Sequence, residues 1–359
     1  MELDKYTDKH TGGADCRPLA VTLGDPAGIG PEVAARLLAG GLLAGGQLAG
    51  GLLAGSQTWS RPLLFVGARW ALEEGARVAG VRLPDLQPVS SAEEVEAPFA
   101  LLELDIDVPG FHFGRVDASC GKLAVQAVET AARLCLEGSV AGMVTCPIHK
   151  EAIHAAGYVN DIGHQEILAR LAGTSRTATM LMTTGLRVVH LSTHKSLIEA
   201  ARFVTRQNVL DKLCLMADVL NGWGLPDARI AVAALNPHGG EGGLLGREEL
   251  DEIAPAVTDA QAQGIRASGP WPADSVFNRA INGEFDVVLA LYHDQGHIAI
   301  KVHDFHASTT ATMGIPFVRT SVDHGTAFDI AGRGIADPTS LLAAVGAADA
   351  LINRQLARL

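Results

Sequence analysis

The amino-acid sequence predicts an α/β protein built on a mostly parallel sheet lying under helices. Short apolar, β-branched runs, the longer Ala- and Leu-rich stretches between them, and the regular alternation of the two carry that prediction. The runs are LAVTLG (19–24), PLLFVGA (62–68), AGMVTCP (141–147), LRVVHLSTH (186–194), ARIAVAALNPH (228–238), FDVVLALYHD (285–294) and IPFVRTS (315–321). Each is nearly continuous in apolar residues instead of alternating, as strands buried on both faces are. Between them, 121–137 (GKLAVQAVETAARLCLE), 196–219 and 247–263 read as helices.

Two segments stand apart from this pattern. Residues 1–17 have no periodicity and read as a loose tail. Residues 37–56 repeat every five positions, LLAGG-LLAGG-QLAGG-LLAGS. Five residues advance a helix by about 500°, so the leucines drift around its surface, and recurring glycine weakens it. The segment reads as an insertion extending the first helix, without chemistry.

Composition narrows the function classes. The 359 residues carry 28 Lys and Arg against 40 Asp and Glu, a net charge of −12, with 48% hydrophobic and 19% charged residues. That is a globular balance, and at roughly 100–200 residues per domain the length suits two domains or one large α/β unit. An acidic chain without clustered Lys and Arg argues against nucleic acid or an anionic membrane as partner. Gly, Asp or His interrupts every apolar stretch well before the ~20 residues of a membrane span, and Met1–Pro18 lacks an apolar signal core. A cytoplasmic protein is expected, its five cysteines, none in a CxxC pair, being reduced thiols.

Four apolar runs end abruptly in polar residues, at the carboxyl ends of predicted strands, where open α/β sheets place ligands. They end at Asp25 (VTLGDPAGIGPE), His194 (LSTH), His238 (LNPHGGEGG) and His293 (LYHDQG). The three histidines, 44 and 55 residues apart, can each offer a neutral imidazole nitrogen to one divalent ion, and three such ligands leave a coordination position open. A structural hydrogen bond is the competing reading for each. His190, on a strand body, and His10 are assigned to that structural reading, and His297, His303 and His306 are left without a role. GDPAGIGPE contains no G-x-G-x-x-G, so the usual dinucleotide fingerprint is absent. Lys301 and Arg319 each sit in or beside an apolar run, where a cation needs a partner: an anionic ligand such as phosphate, or an internal carboxylate. Asp274 reads as a helix N-cap or a general base.

Taken together, VTLGDPAGIGPE, NPHGGEGG, YHDQGHIAIK and RTSVDHGTAFDIAGRG resemble the 4-hydroxythreonine-4-phosphate dehydrogenase family, in order, from about residue 18 to 359. DHGTAFDIAGRGIADP further resembles the segment that holds the adenosine of NAD in isopropylmalate dehydrogenases. The resemblance implies two α/β/α domains of isopropylmalate dehydrogenase type with a cleft between them. Residues 18–122 and 302–359 would form the first, nucleotide-side domain, and 123–301 the second, carrying dimerisation and metal ligands. It also implies a homodimer with the active site at its interface, NAD or NADP as cofactor, and one divalent metal on His194, His238 and His293, zinc first, with Mg, Mn, Co or Ni as alternatives.

The family's substrate positions fall on His164, Gln165, Lys301, Thr310 and Arg319. Two of them depart from the family pattern, GHQE standing where the family has GHTE and Thr310 where it has Asn. The resemblance places the cofactor against His324, Gly325, Asp329 and Gly332, with Asp329 accepting from the ribose hydroxyls. Asp274 is then the candidate proton acceptor, Lys301 the runner-up or a phosphate contact, and Asp25 shapes the cleft mouth or caps a helix. The implied reaction oxidises a phosphorylated hydroxy acid, 4-phosphohydroxy-L-threonine or a 4-phospho-threonate- or erythronate-like acid, and then β-decarboxylates it. A dihydrodiol dehydrogenase of the same superfamily, a phosphate acyltransferase-like transferase and a non-catalytic metal- or anion-binding protein are the competing readings.

Overall fold

The computed structural model describes residues 15–41, 59–161 and 163–359. The expected tail up to residue 14, and residues 42–56 of the expected insertion, lie outside them. In chain order the elements are β1 (Leu19–Thr22), α1 (Gly30–Gly41), β2 (Leu63–Gly67), α2 (Arg69–Ala79), β3 (Gln87–Val89), β4 (Phe99–Glu103), α3 (Ala118–Glu137), β5 (Gly142–Thr145), α4 (Lys150–Ala155) and α5 (His164–Ala172). There follow β6 (Ala178–Thr183), β7 (Leu186–His190), α6 (Leu197–Phe203), α7 (Arg206–Gly222), β8 (Ile230–Ala233), α8 (Ala254–Ala262), β9 (Ala267–Trp271), α9 (Ala273–Ile281), β10 (Val287–Ala290), α10 (His293–His303) and β11 (Thr309–Met313). β12 (Val318–Val322) and α11 (Thr339–Ile352) complete them.

The chain divides into two compact units, one comprising the described residues of Met1–Ser175 with Ile315–Ile352, the other Arg176–Gly314 with Asn353–Leu359. The α/β class is as the sequence predicts, but the unit boundaries are not. Residues 123–175 belong to the first unit because α3 lies against β1, β2 and β5, and because β5 pairs with both β1 and β12. Residues 302–314 belong to the second, since β11 pairs antiparallel with β6. The last residues return to the second unit as well, with Leu356 N–H donating to Trp223 O at 3.1 Å and Arg187 Nη2 donating to Leu356 O at 2.9 Å.

In the first unit the strand order β3-β4-β2-β1-β5-β12 is parallel throughout. Every residue of β1, β2 and β5 is buried, as strands covered on both faces must be. Ala20, Leu64, Val66 and Met143 pack with Val125 and Val128 of α3 and with Ile153 of α4. Each fully buried aliphatic side chain of this kind contributes about 1.5–3 kcal/mol. α3 starts at Asp117, whose carboxylate accepts from Ser119 N and Cys120 N, and stops at Gly138, whose φ of 79° a side chain would resist.

In the second unit the order is β11-β6-β7-β10-β8-β9, antiparallel from β11 to β7 and parallel beyond. Its core joins Leu181, Val188, Ala231 and Val288 to Val276 of α9 and Ile300 of α10. The expected helix 196–219 is two helices, broken where Thr205 accepts from Asn208 N and starts α7. The stretch 247–263 opens as a π-helical turn at Glu249–Ile253 before α8. Cys120, Cys135, Cys146 and Cys214 are free thiols, and among the described residues no helix is long and apolar enough to cross a membrane.

Candidate active site

Strands buried on both faces leave their carboxyl ends as the places where polar side chains gather. In the second unit β7, β10 and β8 are parallel neighbours, so the loops carrying His194, His293 and His238 leave the sheet side by side at one end. All three imidazoles are exposed. Among the described residues, however, no group of three or more His, Cys, Asp or Glu side chains could hold a metal ion. One chain alone does not gather the expected three-histidine set.

Each histidine is nonetheless held by a specific local device. His194 lies between Ser192, whose Oγ donates to Leu291 O at 3.2 Å, and the capping box of Ser196 and Glu199 that starts α6. His238 stands first in a run of positive φ that includes Gly239, Gly240, Glu241, Gly242 and Gly243. Left-handed backbone costs about 1–2 kcal/mol at a non-glycine residue. The buried Glu249 braces the loop just before it. Its carboxylate accepts from Leu235 N at 2.8 Å, Asn236 N at 2.7 Å and Asn236 Nδ2 at 2.9 Å.

Asp274 stands near His238, with His238 Nδ1 at 3.8 Å from its Oδ2. The N-cap alternative for Asp274 fails, because Pro272 occupies the N-cap of α9 and Asp274 sits one position inside the helix. Its carboxylate is exposed.

His293 opens α10, and its Nδ1 is 2.6 Å from Asp294 Oδ1, which leaves Nε2 for a ligand. The His297 ring stacks on it at 3.7 Å between centroids, with Nδ1 at 3.1 Å from His293 O. Buried His190 stands 4.6 Å from His297. Burial first, and then His297 and His293, push His190 down to about 3, so it is neutral at ordinary pH. Gln295 ties two of the histidine loops together: its Oε1 accepts from Leu291 N at 2.7 Å, and its Nε2 donates to Ala234 O at 2.8 Å. Sequence reasoning missed Glu249 and Gln295, for their partners lie up to 61 positions away and no local pattern marks them. Lys301 Nζ donates to Ser308 Oγ at 3.2 Å and lies over the Phe305 ring, while Thr310 sits half-buried on β11.

In the first unit, Arg319 on β12 is buried, and Nη2 donates to Thr145 Oγ1 at 2.5 Å. Burial drives its guanidinium down to about 9. His164 begins α5 beside it, Gln165 following. Burial first, then the Arg319 charge, hold His164 well below its ordinary value, and its Nε2 is shut from solvent with no hydrogen-bond partner among the described residues. These two sequence-predicted substrate residues are therefore brought together.

The cofactor candidates lie on one loop after β12. His324 Nδ1 is 3.0 Å from Gly325 O, Asp329 is exposed, and Gly332 has a φ of 79° with Phe113 where a side chain would project. Thr326 O accepts from Ile29 N at 3.0 Å, tying this loop to the start of α1. The cap reading of Asp25 holds for a loop and not for a helix: its Oδ1 accepts from Ala27 N at 2.8 Å, ahead of α1. Fully buried, with Oδ2 lacking a hydrogen-bond partner among the described residues and Asp117 nearby, Asp25 is pushed up to about 7, mainly by desolvation.

The model of a protein family described as pyridoxal phosphate biosynthetic protein PdxA matches residues 58–348. A Symbiobacterium thermophilum protein with the provisional name D-threonate 4-phosphate dehydrogenase is 44% identical over 337 residues, covering 92% of this chain and 96% of that one. A 4-hydroxythreonine-4-phosphate dehydrogenase of Beijerinckia indica is 42% identical, covering 90% and 92%. The crystal structure of 4-hydroxythreonine-4-phosphate dehydrogenase from Klebsiella pneumoniae is similar with a TM-score of 0.82 at 36% identity, covering 95% and 99%.

Replacing Gln295 by Leu strands Leu291 N–H and Ala234 C=O, and should cost about 2–4 kcal/mol in urea unfolding. An unchanged midpoint would refute the bridging role. For Asp25 the fold favours the neutral carboxyl, so the stability it contributes is full below about pH 4 and drains away as pH rises toward about 7. The span from 3.8 to about 7 corresponds to roughly 4 kcal/mol. Asp25→Asn should flatten that slope in thermal melts between pH 4 and 8, and a slope equal to wild type would count against a buried, neutral Asp25.

Proposed function

Because the chain belongs to the pyridoxal phosphate biosynthetic protein PdxA family, we propose that it is a metal-assisted, NAD- or NADP-linked dehydrogenase of a small 4-phosphorylated hydroxy acid. The observation that carries this reading is Arg319 beside His164. Burial presses both toward their neutral forms, the Arg319 charge adding to it at His164, and a bound anionic group would offset that penalty. The substrate is 4-phosphohydroxy-L-threonine or a 4-phosphorylated threonate- or erythronate-like acid, and oxidation is followed by β-decarboxylation. The matching relatives carry both kinds of name.

In this reading His164, Gln165 and Arg319 are anion contacts and the loop His324–Gly332 takes the nucleotide. His194, His238 and His293 hold a divalent cation, and Lys301 and Thr310 are substrate contacts. The donor chemistry fits such an ion: three imidazoles, one of them oriented through Nδ1 by Asp294. When bound, the nicotinamide would take the hydride from the carbinol carbon, and the cation would polarise the hydroxyl on that carbon. Asp274 accepts the hydroxyl proton, its carboxylate being exposed and adjacent to His238. Lys301 is the alternative acceptor or a phosphate contact.

A second copy of the chain completes the assembly in this proposal. Leu197 and Ile198 follow His194, Leu244 follows His238, and Ile298, Val302 and Phe305 follow His293 or lie just past its helix, all more than half exposed. Large apolar side chains left in water around each histidine loop are what a homodimer interface would cover, and a second copy can bring the donors that one chain leaves dispersed. The free thiols suit a reducing, cytoplasmic setting.

A panel of 4-phosphorylated hydroxy and amino acids, followed by NADH or NADPH absorbance with and without chelator, tests the reaction. Absence of turnover across the panel would reject it. His238→Ala should abolish turnover and lower bound metal while the unfolding transition stays cooperative, whereas stoichiometric metal retention would remove His238 from the ligand set. Arg319→Ala should raise KM for the phosphorylated substrate about 10- to 100-fold and leave that of its dephosphorylated analogue nearly unchanged. Equal effects on the two would exclude a phosphate contact.

A further inference from the structure

The carboxyl end of β5 carries a polar relay that none of the assignments above uses. Thr145, the last residue of β5, is the register partner of Ser321 on β12, and Arg319 lies two residues before Ser321 on the same face of that strand. Thr145, Arg319 and Ser321 are 0%, 6% and 5% exposed. Arg319 Nη2 lies 2.5 Å from Thr145 Oγ1, Thr145 Oγ1 lies 3.0 Å from Ser321 Oγ, and Ser321 Oγ lies 3.0 Å from Thr145 O.

The two ends of this relay set its direction. A guanidinium only donates and a carbonyl only accepts. The Thr145 hydroxyl therefore accepts from Arg319 and donates to Ser321, whose own hydrogen goes to the Thr145 carbonyl. Each hydroxyl is thus polarised by the cation ahead of it, and neither is free to rotate away without breaking two bonds. The next residue, Cys146, holds His164 through a backbone hydrogen bond. Two successive residues at one strand end therefore mount both groups of the anion pair.

We propose that Thr145, backed by Ser321, is a positioning residue that aims the Arg319 guanidinium at the anionic group of the substrate. A hydroxyl suits the task better than a carboxylate: it fixes one N–H of the guanidinium in a stated direction and adds no negative charge to compete with the ligand. The inference rests on the reading of Arg319 as an anion contact, and its test has a readout that does not depend on turnover.

Thr145→Val keeps the shape and removes the relay, whereas Thr145→Ser keeps the hydroxyl. Inorganic phosphate titrated calorimetrically into the full-length protein should bind about tenfold more weakly to the valine variant and as in wild type to the serine variant. With a turned-over phosphorylated acid, the valine variant should show KM raised by a similar factor and kcat within about twofold. Wild-type phosphate affinity in a cooperatively folded Thr145→Val protein would overturn the proposal, as would a serine variant as impaired as valine. If the valine variant does not fold, Ser321→Ala decides, a severalfold loss of phosphate affinity supporting the relay and an unchanged affinity sinking it. Equal phosphate binding by wild type and Arg319→Ala would instead remove the anion reading beneath it. Phosphate binding without turnover of any phosphorylated acid would sink the reaction and leave the relay standing.

Discussion

Strands covered on both faces have no side on which to show chemistry. β1, β2, β5, β8 and β10 are buried along their whole length, so the polar groups these strands present stand at a strand end or on the loop that follows it. Asp25, Thr145, His194, His238 and His293 all obey this. The constraint also explains why these residues come from distant parts of the chain: neighbouring parallel strands require long crossovers between them.

Loops that carry function need holding, and here the holding groups are polar and buried. Glu249 satisfies two backbone amides and a side-chain amide at the entrance to the His238 turn, and Gln295 joins the ends of β10 and β8. A buried polar group with every bond made costs little, while one with a missing partner costs its full desolvation. Glu249 and Gln295 thereby brace the loops that carry the exposed His238 and His293.

Much of this was legible in the sequence. The continuous apolar runs located seven strands, and the abrupt polar endings located His194, His238, His293 and Asp25. What was not legible depended on pairing across the chain. β11 carries Thr, Ala and Met with no strong pattern, and its place beside β6 follows from tertiary packing. The boundary at residue 123 misplaced α3 because an amphipathic helix does not announce which sheet it will cover. The π-helical opening before α8 and the break at Thr205 fall inside long stretches rich in helix-forming residues, where Val204-Thr205 and Pro255 are the local signals. Arg319 was flagged as a cation in an apolar run, but its hydroxyl partner is 174 positions away.

The two units interleave in the chain, since residues 315–352 return to the first and 353–359 to the second. β12, which bears Arg319 and pairs with β5, is made long after β5 itself. During synthesis, then, the β5 edge that β12 will cover stays unpaired until residues 176–314 of the second unit have been made, an exposed strand edge to shield in the meantime.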